Sequence, residues 1–289
     1  MQFWHYSLLV FLGGCSYGVV STMVKLAYRQ GFTVDMVTGS QYACGAAMLW
    51  LAALWVPRPR LAAGQWGRLL VSGTPMGLTG IFYNNSLEHI PASIAIILLL
   101  QFTWISSLLH FLLERRPPAA KNLAAIGVIL LGSAFAGGVF QSDAALSWRG
   151  LLWGLLAAVS FASFVYISSR SSGGLHPVYR SAIMTSGAML CVFAAMPPLS
   201  LFTGAAAGLL PYGLATGLFA SLIPPVLFAI GMPVVKDLGG ILSASELPTA
   251  VLMAALVLGE PVSGGQWAGV ALILAGIALP SLRWQRSRT

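Results

Sequence analysis

Residues Pro91 to Leu113 read PASIAIILLLQFTWISSLLHFLL, a stretch of 23 residues with no Asp, Glu, Lys or Arg. About 20 predominantly apolar residues are enough for an α-helix to cross the hydrocarbon core of a bilayer. The alternative, a strand of a membrane barrel, would give an alternating segment of only about ten residues. The stretch therefore predicts a membrane-spanning α-helix.

Nine further apolar runs occupy most of the remaining chain, and the connections between them are short and carry Pro, Gly and charge, as in Pro57-Arg58-Pro59-Arg60. No connection is long enough to hold a soluble domain. We therefore predict an all-α integral membrane protein with ten transmembrane helices. The ten runs are 6–27, 34–56, 66–86, 91–113, 121–139, 147–169, 178–201, 208–231, 239–258 and 263–282.

The composition of the 289-residue chain agrees with this prediction, because 57% of the residues are hydrophobic and only 8% are charged. A typical soluble domain is about 25% charged. These values exclude an ordinary cytosolic enzyme, a nucleic-acid-binding module and a disordered chain. The sequence pI near 9.8 is not accompanied by a basic cluster with interleaved aromatic residues, so we expect a lipid bilayer and no nucleic acid as partner.

The three cysteines, Cys15, Cys44 and Cys191, all lie inside apolar runs and show no metal-ligand spacing. We interpret them as small core residues and expect neither a metal nor a cofactor. Residues Met1 to His5 contain no Lys or Arg, and no small-x-small cleavage site follows the first run. We therefore expect a retained helix at the N-terminus.

The distribution of Lys and Arg predicts the orientation in the membrane. With a cytoplasmic N-terminus, the cytoplasmic loops and the tail hold 12 of these residues and the opposite side holds three, Lys25, Arg29 and Arg149. Cytoplasmic loops carry the excess of positive charge, so both termini are expected inside. The twelve are Arg58, Arg60, Arg68, Arg115, Arg116, Lys121, Arg170, Arg180, Lys236, Arg283, Arg286 and Arg288.

The two halves of the chain resemble each other at an offset of 144 or 145 residues. Asn122-Leu123-Ala124 followed by Ile129-Leu130-Leu131-Gly132 lies over Gln266-Trp267-Ala268 followed by Ile273-Leu274-Ala275-Gly276. Ser16-Tyr17 lies over Ser160-Phe161 in the same way. A shared offset in the same order indicates an internal repeat, with one half at 1–143 and the other at 144–289.

Each half contains five helices, and an odd number makes the second half enter the membrane from the opposite side. Inverted repeats suit alternating access, because two similar halves can exchange inward-open and outward-open shapes around a site near the midplane. The repeat therefore predicts a transporter of a small molecule rather than a structural scaffold.

Residues late in each half carry a family resemblance. They are Glu246-Leu247-Pro248, Leu258-Gly259-Glu260-Pro261 and the Gly-punctuated run Gly269 to Gly276, echoed in the first half by Leu113-Glu114-Arg115. The chain resembles the drug/metabolite transporter superfamily, EamA type, over essentially its whole length. The first half departs from the pattern, since Gln101-Phe102-Thr103-Trp104 contains no proline and Leu113 stands in place of a glycine.

The resemblance implies a secondary transporter, without enzymatic activity, in a bacterial cytoplasmic membrane. It implies export of small organic metabolites or drugs, as a monomer or homodimer. It does not select a substrate, since the superfamily handles amino acids, toxic metabolites, cationic compounds and sugar-nucleotide conjugates. An uncoupled facilitator or exchanger of a small metabolite such as an amino acid has the same fold and stays open as an alternative.

Glu246 is the only acidic residue deep inside a predicted span. An ionisable residue in hydrocarbon is costly and therefore a candidate for function. Three interpretations stay open at this point: a proton-coupling carboxylate, a counter-ion for a cationic substrate, and a structural carboxylate bonded to neighbouring helices. Pro248 removes a backbone donor nearby and disturbs the helix one turn earlier.

Gln101 and Trp104 are three residues apart on one helix face and, by the repeat, Gln101 would lie opposite Glu246. We therefore predict that these three side chains meet near the midplane. Hydroxyl-bearing aromatics and amides suit a cavity for partly apolar solutes. The remaining predicted substrate-binding residues are Tyr17, Gln41, Tyr42, Tyr83, Asn84, Asn85, Ser163, Tyr166 and Ser245.

Several further features concern packing. Four Gly-x-x-x-Gly pairs, beginning at Gly14, Gly73, Gly150 and Gly213, would allow helices to approach closely. Lys25, near the end of the first run, either binds an anion, pairs with a carboxylate or extends toward the interface. Glu114 and Glu260 are expected to end helices.

One catalytic motif occurs literally, since Gly14-Cys15-Ser16-Tyr17-Gly18 satisfies G-x-S-x-G. That motif needs a sharp strand-to-helix turn with an acid and a histidine nearby, whereas this one lies inside an apolar run. An intramembrane enzyme or lipid-handling protein using Ser16 is the alternative from another functional class.

Overall fold

The ten apolar runs form ten helical spans in a computed structural model, which describes residues 2–115, 117–137, 147–170, 174–197, 208–259 and 261–282. The predicted boundary between the halves at 143/144, Glu260 and the end of the 178–201 run lie outside these residues. The helices are α1 (Gln2–Arg29), α2 (Val34–Ala53), α3 (Ala63–His89), α4 (Ala92–Leu99), α5 (Phe102–Glu114), α6 (Ala120–Ala136), α7 (Trp148–Arg170), α8 (Pro177–Ala195), α9 (Leu210–Thr216), α10 (Ile223–Val235), α11 (Gly239–Ser243), α12 (Glu246–Leu258) and α13 (Gly264–Leu282).

The fourth and ninth spans are broken near their middles, although their sequences read as continuous apolar runs. α4 and α5 are separated at Leu100 and Gln101, and α11 and α12 at Ala244 and Ser245. In the ninth span the break follows from Pro248, whose nitrogen cannot donate to the Ala244 carbonyl.

Side chains replace the missing bonds in the fourth span, which has no proline. The Thr103 hydroxyl donates to the Leu100 carbonyl at 2.9 Å, and the Gln101 amide donates to the Ile97 carbonyl at 3.1 Å. Such local side-chain bonds compete with the helical ladder, so the departure of the first half from the proline pattern does not prevent the break.

The eighth span is a single helix with a widened turn. A π-helical segment, Gly217–Leu222, joins α9 to α10 and is followed by Pro224 and Pro225. Proline at 225 leaves the Ser221 carbonyl without its usual donor, and the Thr185 hydroxyl of α8 donates to it instead at 3.3 Å. The prolines of this span therefore attach it to the neighbouring helix.

Equivalent positions in the two halves are 144 residues apart. The Ser16 hydroxyl donates to the Phe219 carbonyl at 2.7 Å, and the Ser160 hydroxyl donates to the Pro75 carbonyl, also at 2.7 Å. Both bonds join the first helix of one half to the third span of the other. The reciprocity confirms the inverted five-helix repeats predicted from the sequence.

The ends of the fourth spans follow the same register. Arg115 ends α5 with φ 54° and Gly259 ends α12 with φ 68°, both in the left-handed region. Glu114 is therefore equivalent to Leu258 and not to Glu260.

The halves interlock rather than stand side by side. α6 packs along α13, α3 along both α7 and α8, α2 along α8, α9 and the π segment, and α1 along α10 and α12. These most extensive helix pairs all join one half to the other. The bundle interior between α1, α3, α7, α10 and α12 is consequently formed by both halves together.

Glycines permit this interlocking, as the Gly-x-x-x-Gly pairs predict. A Cβ atom at Gly73 or Gly77 of α3 would collide with backbone atoms of Met184 or Ala188 in α8. On α1, Gly14 and Gly18 lie against the break between α11 and α12, where a Cβ on Gly18 would overlap the carbonyl oxygen of Glu246. Backbone contact of this kind is how helices gain packing energy within a membrane.

We expect Gly18→Ala to lower the free energy of unfolding by about 1–3 kcal/mol, because its new methyl group must push α1 away from α12. Gly127→Ala in α6 is the matched control, since nothing lies within 4 Å of its added Cβ. Removal of a helical glycine there should stabilise by up to about 1 kcal/mol. Thermal unfolding midpoints of the purified proteins in detergent compare the two, and equal midpoints would contradict the packing described.

Arg115→Gly should raise the free energy of unfolding by about 1 kcal/mol, because glycine adopts the left-handed conformation at this helix end without the steric cost that Arg115 carries. Arg68→Gly, at an exposed position inside α3, provides the control and should lower stability by a similar amount. The same thermal unfolding measurement tests both, and a loss of stability in Arg115→Gly would refute the assignment.

Candidate functional site

A small polar cavity lies between the two halves, where the breaks of the fourth and ninth spans approach α1, α3 and α7. Its volume is about 40 Å³. Six of the twelve residues predicted from sequence to bind substrate line it: Tyr17, Gln41, Tyr42, Tyr83, Asn84 and Glu246. We call it the central cavity.

Glu246 is the first residue of α12 and its side chain is 3% exposed. The positive end of the α12 dipole is close to the carboxylate and favours a negative charge there. None of the ion pairs within the described residues involves Glu246. The phenols of Tyr17 and Tyr83 lie close enough to sense its charge.

Ser245 holds the turn that precedes Glu246. Its hydroxyl donates to the Phe11 carbonyl of α1 at 2.7 Å, and Thr249 donates to the Ser245 carbonyl at 3.1 Å. Ser245 is thus not a cavity residue in this conformation. It fixes the break in the ninth span against α1 and so positions Glu246.

Hydrogen bonds between α2 and α3 set the opposite wall. Tyr42 donates its hydroxyl to the Met76 carbonyl at 2.5 Å, and its ring lies against Gly80, where a Cβ would not fit. The Asn84 amide donates to the Thr38 hydroxyl at 2.9 Å. These side chains bind their neighbours, and only parts of them face the cavity.

Two buried polar atoms of this wall have no partner within the described protein. They are Oε1 of Gln41 and the hydroxyl of Tyr83, which are on residues 3% and 7% exposed. Unpaired buried polar atoms are uncommon because each costs about 1–3 kcal/mol. Both belong to residues that line the central cavity, where a bound molecule or water can reach them.

The predicted group of Gln101, Trp104 and Glu246 does not assemble in this structure. The Trp104 indole donates to Oε1 of Gln101 at 2.9 Å, and Trp104 is 43% exposed. The reason is the repeat register: at 144 residues the equivalent of Glu246 is Phe102, and Gln101 corresponds to Ser245. Phe102 is fully buried and packs edge-on against Phe161 at 4.6 Å between ring centroids.

The other predicted residues also lie outside the central cavity. Asn85 donates to the Ile81 carbonyl and Ser163 to the Val159 carbonyl, each within its own helix. Tyr166 lies one end of the bundle away, beside Arg170, whose Nη1 donates to its hydroxyl at 2.8 Å.

Sequence reasoning missed several wall residues, namely Val20, Met76, Thr79, Gly80, Leu99, Phe161 and Ala220. One of them carried a usable signal, because Phe161 is the repeat equivalent of Tyr17. The two rings meet edge-on across the cavity at 5.3 Å between centroids. The others are small or apolar and nothing in their sequence context distinguishes them from packing residues.

A second cavity of about 350 Å³, the large cavity, lies toward the end of α1. Leu247 lines it, whereas the adjacent Glu246 lines the central cavity. Lys25 and Arg29 also line it. The Lys25 ammonium donates to the Leu87 and Ile90 carbonyls at 2.6 and 3.2 Å, so it caps the end of α3.

A group of charged side chains gathers at the opposite end of the bundle. Nδ1 of His110 lies 3.5 Å from Glu114 and 3.6 Å from Asp237, and Nη1 of Arg170 donates to Glu114 at 3.2 Å. The ring of Tyr166 packs on His110 at 4.8 Å. These residues join the ends of α5 and α7 to the segment between α10 and α11. We call them the charged cluster.

The G-x-S-x-G match lies within the α1 helix, where the Ser16 hydroxyl already donates to the Phe219 carbonyl of the π segment. Its surroundings are those of a helix-packing contact between halves. The strand-to-helix turn that the hydrolase motif requires is absent at this position.

Comparisons with known proteins agree with this architecture. The uncharacterized transporter YwfM of Bacillus subtilis (strain 168) is 26% identical over 298 residues, covering 98% of this chain and 96% of that protein. A solved crystal structure of a protein matches with a TM-score of 0.75 at 18% identity, over 97% of this chain and 99% of that one, which supports the fold alone.

The family comparison gives the clearest result, because it recognises each half separately. The model of the EamA-like transporter family matches residues 4–138 and again residues 148–282. Together these matches cover most of the sequence and include every helix that contributes to the central cavity. The chain belongs to the EamA-like transporter family.

Proposed function

We propose that the protein is a secondary transporter that exports a small organic metabolite or drug by alternating access, with Glu246 carrying a coupling proton. Membership of a family of membrane transporters supports transport of a small substrate in general. The observation that carries the finer proposal is the position of Glu246, a buried carboxylate at the junction of two inverted halves.

The two ends of the bundle support alternation. At one end the charged cluster ties α5, α7 and the α10–α11 segment together. At the other, the large cavity reaches inward as far as Leu247. A carrier that is closed at one end and entered from the other has this form, and exchange of the two shapes would move the site across the membrane.

We further propose that the protein lies in a bacterial cytoplasmic membrane with both termini in the cytoplasm. The 12 to three distribution of Lys and Arg supports this orientation. The contacts agree with it, because the charged cluster joins three segments whose ends are assigned to the cytoplasmic side. In this orientation the large cavity opens outward. Export itself rests on the resemblance to the superfamily.

Glu246→Gln should abolish gradient-driven transport, because a neutral amide cannot take up and release a proton. Proteoliposomes loaded with a defined mixture of amino acids, amines and sugars, with acid outside, would show loss of individual solutes by mass spectrometry. We expect the wild-type protein to release at least one solute faster at the larger pH gradient, and Glu246→Gln to release it no faster than protein-free vesicles.

The control is Glu88→Gln, which removes an exposed carboxylate at the end of α3 outside the cavity. It should transport like the wild type. If Glu246→Gln transports at the normal rate with unchanged pH dependence, the coupling role is wrong. Counterflow without any pH effect in both proteins would favour an uncoupled facilitator.

Glu114→Gln should favour opening at the end closed by the charged cluster, since it removes the partner of both His110 and Arg170. The reporter is Ser106→Cys in a background lacking Cys15, Cys44 and Cys191, because buried Ser106 lies one turn from His110. We expect a maleimide to label it about two- to fivefold faster in the Glu114→Gln variant, which corresponds to a partly exposed ion pair.

Glu88→Gln again serves as the control, because its pairing with His89 at 3.8 Å lies within α3 and joins no two helices. Its labelling rate should equal that of the parent. An unchanged rate in Glu114→Gln would show that the cluster does not hold this end closed.

A further inference from the structure

The donors and acceptors of the central cavity are unevenly used. The Tyr42 hydroxyl donates to Met76, the Thr79 hydroxyl donates to the Pro75 carbonyl at 2.7 Å, and the Asn84 amide donates to Thr38. These three groups therefore have protein partners for the hydrogens that they donate. They help to build the wall and leave few donors for a ligand.

Three other groups lack a protein partner in the described part of the chain. Oε1 of Gln41 can only accept a hydrogen bond, the Tyr83 hydroxyl can accept or donate, and Glu246 has no cation within ion-pair distance. They belong to α2, α3 and α12 and line one cavity. A molecule that satisfies them must bring hydrogen-bond donors and, when Glu246 is ionised, a positive charge.

The remaining wall also suits a cation. The rings of Tyr17 and Phe161 meet across the cavity, and the faces of such rings attract positive charge. No Lys, Arg or His lines the central cavity within the described residues. Lys25 lines the large cavity and is already bonded to the end of α3.

From this arrangement we propose that the central cavity binds the primary ammonium group of a small organic amine, between the Glu246 carboxylate, Oε1 of Gln41 and the Tyr83 hydroxyl. That the amine is a transported substrate rests on the proposed function, whereas its binding does not. The volume of about 40 Å³ matches the head group rather than a whole metabolite, so the site selects for the head.

The same arrangement works against carboxylates. A carboxylate head would bring negative charge to Glu246 and acceptors to Gln41, with no cation in the wall to offset either. Like charges brought together in a buried site repel strongly. The proposal therefore disfavours simple organic acids and also amino acids, whose carboxylate would lie beside their ammonium group.

The experiment compares four probes that share a phenylethyl body. They are 2-phenylethylammonium, its N-trimethyl derivative, 2-phenylethanol and 3-phenylpropionate, each titrated by isothermal calorimetry into the full-length protein in lipid nanodiscs. We expect the primary ammonium to bind at least about tenfold more tightly than the alcohol. The trimethyl derivative should also bind more weakly, because it is too bulky and has no N–H donor, and the carboxylate should not bind.

Variants assign the contacts. Glu246→Gln and Gln41→Leu should each weaken binding of the primary ammonium, the first by about tenfold or more and the second by about fivefold. Tyr83→Phe removes a single hydroxyl and covers the case in which another variant does not fold. The matched controls, Glu88→Gln, Gln101→Leu and Tyr212→Phe, lie outside the cavity and should bind like the wild type.

The outcomes separate this proposal from the transport proposal. Equal or tighter binding of the carboxylate, unchanged affinity in Glu246→Gln, or no binding of the primary ammonium would each overturn the assignment of ligand class, even if the proteoliposomes transport another solute. Selective binding that the three cavity variants weaken would support it, even if no flux is seen and transport by this chain is refuted.

Discussion

Direct contact between the backbones of the two halves is the constraint on which this molecule depends. Lipid tails are as apolar as leucine, so helices in a bilayer associate through close packing and hydrogen bonds rather than through burial from water. Here a missing Cβ lets α3 touch α8, and a second set of glycines lets α1 lie against the broken ninth span. The serine hydroxyls of Ser16 and Ser160 then join first helices to third spans across the same interface. Every wall of the central cavity is fixed by these contacts.

Divergence between equivalent positions gives the symmetric frame an asymmetric interior. Tyr17 and Phe161 occupy matching places, as do Glu246 and Phe102. One member of each pair is polar and the other is purely apolar, so the second half supplies the carboxylate while the first supplies a fully buried ring. A single charge in the cavity avoids the repulsion that two opposed carboxylates would create. Duplication has thus supplied the shape, and substitution at two positions has supplied the chemistry.

The sequence alone is sufficient for the ten spans, the inverted repeat and the burial of Glu246, because length, hydropathy and offset carry that information. It is not sufficient for the break at Leu100, where Thr103 and Gln101 satisfy carbonyls without any proline to mark the place. A shift of one residue in the repeat register then moved Gln101 onto Glu246, although Phe102 is the true equivalent. Half of the predicted site residues line the cavity. Asn85 and Ser163 do not, since amides and hydroxyls in helices often bond to the preceding turn, a choice that spacing does not reveal.

Glu246 and Leu247 are neighbours in the chain, yet they face different chambers. Successive side chains on an α-helix point about 100° apart. A swivel of the first turn of α12 by that angle would carry the carboxylate from one compartment into the other with no sliding of the helix along its axis. Pro248 and the two-residue gap after α11 leave this turn detached from the helix before it, as the pivot of a turnstile must be.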